Sequence, residues 1–160
     1  MLYIGIITNQ KNEMYIKKEL MSISGIKTNY SIIFINEKNI DNLQAIKFEI
    51  ILLDIEIKSK KREIREKLLN SNFLVLNNDR VIDKSILENI KIPVITYGFN
   101  SKSTFTISSI EENSLIICLQ RIIFNKNNNI IEPQEYKVKN SENTENYAII
   151  GTEILKIIYK

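Results

Sequence analysis

Phe48-Glu49-Ile50-Ile51-Leu52-Leu53-Asp54, a stretch of helical spacing from Lys58 to Asn70, and Phe73-Leu74-Val75-Leu76-Asn77 set out a strand, a helix and a strand in one short span. Neither strand alternates. Both are apolar along their length, as expected of strands in a parallel sheet whose two faces are covered by helices. Between them, Ile64, Leu68 and Leu69 share one helical face, and charged residues of both signs fill the other.

The same pattern continues outward in both directions. Toward the N-terminus, Leu2 to Thr8 and Tyr30 to Ile35 read as strands, with Tyr15, Ile16, Leu20 and Ile23 at helical intervals between them. Asp41 is placed to cap a short helix running through Ile46. Toward the C-terminus, Asp83 opens a helix to Asn89, and Pro93 to Gly98 is a fifth strand. Five such strands joined by helical crossovers predict an α/β fold: a three-layer, Rossmann-like, mostly parallel sheet with helices on both faces.

After Gly98 the texture changes. Ser103 to Ser109 alternates, Leu115 to Phe124 reads as one long strand, and Asn125-Lys126-Asn127-Asn128-Asn129 is a turn of residues that tolerate left-handed geometry. Ile130 to Val138 returns, giving a small C-terminal antiparallel β addition. A final helix covers roughly Glu142 to Tyr159. With 160 residues and neither repeat nor linker, the expectation is one domain: a parallel α/β core over 1–100, antiparallel strands over 101–140 and the last helix over 141–160.

Composition narrows function by what it lacks. The absence of histidine removes the commonest general base, every Ser-His or Cys-His nucleophile pair and any histidine-containing zinc site. Cys118 is the only cysteine, which excludes an internal disulfide, and its setting among Ile116, Ile117 and Leu119 reads as a buried, inert strand interior. With 22 basic and 19 acidic side chains, the net charge of +3 is too mild to imply nucleic acid as a partner. The N-terminus lacks a basic leader, and no apolar run approaches the roughly 20 residues of a membrane span, so the expectation is a cytoplasmic protein with no membrane partner.

Ligands of open parallel sheets bind at the carboxyl ends of the strands, so the loops after Thr8, Ile35, Asp54, Asn77 and Gly98 are the places to look. A phosphate loop needs glycines that let backbone N–H groups converge on the ligand, plus a lysine and a metal-binding hydroxyl. Thr8-Asn9-Gln10-Lys11-Asn12-Glu13 supplies no glycine and no Lys-Ser or Lys-Thr pair, which makes Lys11 a solvated surface lysine. Asp54 and Glu56 have the oxygen donors of a magnesium site but no phosphate site to share the ion, and read as solvated carboxylates. Asp79, in Asn77-Asn78-Asp79-Arg80, either opens a turn or accepts from a ribose hydroxyl. The basic run Lys58-Ser59-Lys60-Lys61-Arg62 precedes Glu63 and Glu66 and reads as an ion-paired helix face.

The segment from Phe73 through Asn77 and Asp79, a helix, Val94-Ile95-Thr96-Tyr97-Gly98-Phe99, and a strand ending Ser108-Ser109-Ile110 together resemble the latter half of the Mur ligase central domain. Mur ligases are the ATP-dependent enzymes that add amino acids to UDP-N-acetylmuramate in peptidoglycan synthesis. The resemblance continues in Glu142-Asn143-Thr144-Glu145-Asn146-Tyr147-Ala148, which is similar to the family's His-Asn-x-x-Asn-Ala helix start with Glu142 in place of the histidine. It extends to Ile4-Gly5-Ile6-Ile7-Thr8, similar to the strand that leads into the family's phosphate loop. The Gly-x-x-Gly-Lys-Thr signature, the metal-binding histidine and the carbamylated-lysine motif have no counterpart, and the length leaves no room for the two flanking domains.

The resemblance implies a remnant nucleotide site, with Asn143 or Asn146 facing an adenine and Asp79 a ribose; Arg80 departs from the family's second aspartate. Without phosphate anchoring, such contacts hold ATP at about millimolar affinity or weaker. The expectation is a non-catalytic protein, not an enzyme and without cofactor or metal, that acts as a protein-binding or regulatory module linked to cell-wall synthesis or sporulation. Its partner would be another protein or a second copy. The alternative is a sensor that binds a nucleotide or UDP-sugar without turnover.

Overall fold

The computed structural model describes every residue of the chain except Ile82. Its centre is an eight-stranded sheet in the order β10-β7-β6-β5-β4-β3-β1-β2. The strands are β1 (Leu2–Ile7), β2 (Tyr30–Phe34), β3 (Ile50–Leu53), β4 (Phe73–Asn77), β5 (Val94–Gly98), β6 (Phe105–Ile110), β7 (Ser114–Leu119) and β10 (Gln134–Lys139). From β2 through β6 neighbouring strands run parallel, while β7 pairs antiparallel with both β6 and β10. A separate antiparallel pair, β8 (Ile123–Phe124) with β9 (Ile130–Ile131), stands outside this sheet. The fold is therefore the α/β class expected, with the antiparallel strands extending the parallel sheet.

The apolar strands bury both of their faces, as their lack of alternation requires. Ile4, Ile6, Ile50, Leu52 and Val75 pack with Ile16 and Leu20 of α1 (Glu13–Met21), Ile26 of α2 (Ser24–Asn29), and α4 (Asn146–Tyr159). Their neighbours Ile7, Ile51, Leu53, Leu74 and Leu76 face the other way, onto Ile64 and Leu68 of α3 (Lys61–Leu69). α4 is buried around most of its circumference from Ala148 to Tyr159. Gly151 lets it approach the sheet closely: a Cβ there would lie 2.8 Å from Leu52 and 2.9 Å from the Tyr97 hydroxyl.

Two expected helices are only single 3-10 turns, Ile40–Leu43 and Lys84–Leu87. Both are held by cations of α3 that capture their carbonyls. The Lys67 ammonium is buried against the Leu43, Gln44 and Ile46 carbonyls, and burial lowers its pKa. Arg65 donates to the carbonyls of Ser85, Ile86 and Glu88 at 3.3, 3.0 and 2.6 Å. Asp41 does not cap its turn but pairs with Lys60, and Asp83 accepts from Ser85 N–H and pairs with Lys61. The basic run thus pairs largely across elements, and within α3 only Arg62 meets Glu66.

The strand expected from Leu115 to Phe124 is broken after Leu119, and its return is split at Pro133, which cannot donate to a ladder. The last helix begins at Asn146, so Glu142 and Asn143 lie in the turn before it. Cys118 is half-buried on β7. Among the described residues no helix is long and apolar enough to cross a membrane.

Candidate functional site

The chain reverses direction across the sheet between β1 and β3, and the carboxyl ends of those strands, with β4 and β5 beside them, form the candidate site. The first residue beyond β3 is Asp54, and it is fully buried rather than solvated. Its Oδ2 accepts from the Thr8 hydroxyl at 2.8 Å, and its Oδ1 from the Tyr97 hydroxyl at 2.6 Å and the Asn77 amide at 3.3 Å. Burial, then the Asp54 carboxylate, push the Tyr97 hydroxyl well above its ordinary pKa, which keeps it a donor. Each partner comes from a different strand end, so Asp54 ties β1, β3, β4 and β5 together. Asn77 adds a turn: its Oδ1 accepts the N–H groups of Asp79 and Arg80 at 3.1 and 3.2 Å.

The segment after β1, where a phosphate loop would lie, folds into a 3-10 turn, Gln10–Asn12, with Asn12 fully buried. Asn9 and Asn12 both donate side-chain amides to Glu145 Oε2 at 2.8 Å. Asn12 Oδ1 in turn accepts the Glu145 N–H at 3.1 Å. Arg80 reaches Glu145 Oε1 at 3.2 Å while its guanidinium lies 4.7 Å from the centre of the Tyr147 ring. Burial alone would raise the Glu145 pKa, but the hydrogen bonds from Asn9, Asn12 and Arg80 outweigh it and hold the group at about 2. Lys11 is solvated, 61% exposed, at 3.6 Å from the same carboxylate. A single internal anion thus collects the amides and cations that follow β1 and β4.

Asp79 is held next to this cluster. Its Oδ2 accepts from the Phe99 N–H and the Tyr147 hydroxyl, both at 2.7 Å. Burial, then the Asp79 carboxylate, push the Tyr147 hydroxyl up to about 12. Gly98, at φ 154°, is required here, because a side chain would overlap the Asp79 carboxylate. Of the residues the sequence singled out, Asp79 lies in a cleft of about 530 Å³ with Asn9, Glu56, Lys58, Ser59 and Arg80. Asn146 lies instead beside Glu112, Lys139 and Asn140 in a separate depression, and Asn143 is exposed in the turn before α4. Asp79 and Asn146 thus line different depressions. Among the described residues no group of histidine, cysteine, aspartate or glutamate side chains is arranged to hold a metal ion.

Glu145 and Tyr147 carry no individual signal in the sequence, although both lie in the segment that carries the resemblance. Their partners are more than a hundred positions away for Asn9 and Asn12, and 65 and 68 for Arg80 and Asp79. Spacing along the chain holds no signal for contacts of that kind. Compared with known proteins, the chain matches no family model and no curated protein sequence.

Proposed function

We propose that this chain is a non-catalytic protein of Mur-ligase central-domain type that acts in the cytoplasm as a protein-binding or regulatory module, in cell-wall synthesis or sporulation. The process rests on the sequence resemblance alone. The observation that carries the non-catalytic part is the Glu145 carboxylate, seated among Asn9, Asn12 and Arg80 beside the end of β1. A triphosphate entering there would meet a fixed negative charge, and the side-chain donors it needs already serve that charge. The backbone supplies no replacement, because the turn has no glycine to open it into a cradle.

The cleft of about 530 Å³ favours a second reading, a sensor that binds a nucleotide or UDP-sugar without turnover. Lys58 and Arg80 offer positive charge on its wall, and Glu37 and Glu56 oppose it. Calorimetric titration with MgATP, ADP and UDP-N-acetylmuramate separates the two. The module reading predicts no saturable heat from any of them at about 1 mM. Saturable binding of one transfers the assignment to the sensor, and ATP hydrolysis abolished by Lys11→Ala overturns both.

A further inference from the structure

The two edges of the large sheet are protected very differently. β10 carries Glu135, Lys137 and Lys139, is preceded by Pro133, and pairs Lys137 with Glu111 at 3.2 Å. Charges and proline are the usual means of keeping an edge strand from pairing with another chain. β2, Tyr30-Ser31-Ile32-Ile33-Phe34, has no charge, no proline and no bulge, and all five residues are half-exposed. Among the described residues no strand pairs with its outer edge.

The outward hydrogen-bonding groups of β2 follow from its register. Ile6 stands opposite Phe34, and the Ile35 N–H donates to the Ile6 carbonyl at 2.8 Å. In a parallel ladder this turns the backbone of Ser31, Ile33 and Ile35 toward β1 and that of Tyr30, Ile32 and Phe34 outward. Two of the outward groups are already taken. The Tyr30 N–H donates to the Ile26 carbonyl, and the Phe34 carbonyl accepts the Asn39 amide at 2.7 Å. What is left is the Tyr30 carbonyl, both groups of Ile32, and the Phe34 N–H.

That set is complementary to itself. If two copies meet antiparallel about a two-fold axis at Ile32, each Ile32 N–H donates to the carbonyl of Ile32 of the partner subunit. Each Phe34 N–H then meets the carbonyl of Tyr30 of the partner subunit; the reciprocal bond of that pair, from the Tyr30 N–H to the Phe34 carbonyl, is given up to the contacts with Ile26 and Asn39, so the seam keeps the Ile32 pair and the two Phe34 N–H bonds. We propose that the chain forms an isologous dimer through β2, joining two eight-stranded sheets into one continuous sheet. Tyr30, Ile32 and Phe34 line one face of the seam and Ile33 the other, so apolar side chains of both copies flank the new ladder. This deepens the protein-binding reading, on which it rests, by naming the surface and the partner.

Light scattering after gel filtration, with amide hydrogen exchange on the same full-length protein, tests it. At about 100 µM the inference expects a dimer in which the Ile32 and Phe34 amides exchange slowly, like those of Ser31, Ile33 and Ile35. Ile32→Pro deletes an N–H that β1 does not use, so the inner ladder is kept while the dimer is lost. Ser31→Lys leaves every backbone bond in place and is expected to weaken dimerisation at least ~10-fold, which covers the case of the proline variant failing to fold. A monomer with fast exchange at Ile32 and Phe34 overturns the inference, and so does a dimer that both variants leave intact. Either outcome leaves the protein-binding reading to be decided by the nucleotide titration, whose failure would be seen separately.

Discussion

Glu145 owes its place to contacts made across the whole chain, and its ionisation is the clearest residue-level consequence of the fold. Its carboxyl titrates near 4.5 ordinarily and at about 2 when folded. The unfolded chain therefore takes up the proton first as pH falls. The stability supplied by the ionised group is complete above pH 4.5 and is lost as pH falls toward 2. With the side chain 19% exposed, that contribution is on the order of 2 kcal/mol. Glu145→Gln is expected to lower stability at neutral pH by roughly 1–3 kcal/mol and to flatten the acid limb between those values, measured by urea denaturation across pH. An unchanged acid limb would show that Glu145 is not the group responsible. Asp54 shows the limit of reading such residues locally: its position at a strand end is legible, but its burial depends on Thr8, Asn77 and Tyr97 arriving from three other strands.

At the scale of elements, the strands were legible because an unbroken apolar run has one common use in a sheet covered on both faces. The connections were less so. Asp41 to Ile46 and Asp83 to Asn89 have the capping residues of helices, yet each is a single turn, because Lys67 and Arg65 of α3 satisfy carbonyls that a longer helix would have bonded internally. Nothing in the charge pattern of α3 distinguishes those two cations from its solvated ones. Pro133 was visible in the sequence, and it lies between β9 and β10 where the chain passes from the two-stranded pair to the large sheet, at a position with no N–H to donate to a ladder. α4 offers a test of how closely elements meet. Gly151→Ala gains about 1 kcal/mol of helix propensity but drives a methyl into Leu52 and the Tyr97 hydroxyl that holds Asp54. The expected net result is a loss of about 1–3 kcal/mol, seen as a lower midpoint in thermal denaturation. A more stable variant would mean that α4 can shift away from the sheet.

For the whole molecule, the α/β architecture and its antiparallel extension follow from the order of the elements. The state of the strand ends does not. Missing glycines and histidine indicate what the site lacks, whereas the carboxylate that fills it is visible only in three dimensions. On the proposed reading, Glu145 closes the end of β1 to a triphosphate. The side-chain amide resonances of Asn9 and Asn12, followed while MgATP is added to about 5 mM, report on that point directly. Both are expected to stay in place, bound to Glu145 throughout. A saturable shift of both, with half-saturation below about 100 µM, would contradict that reading.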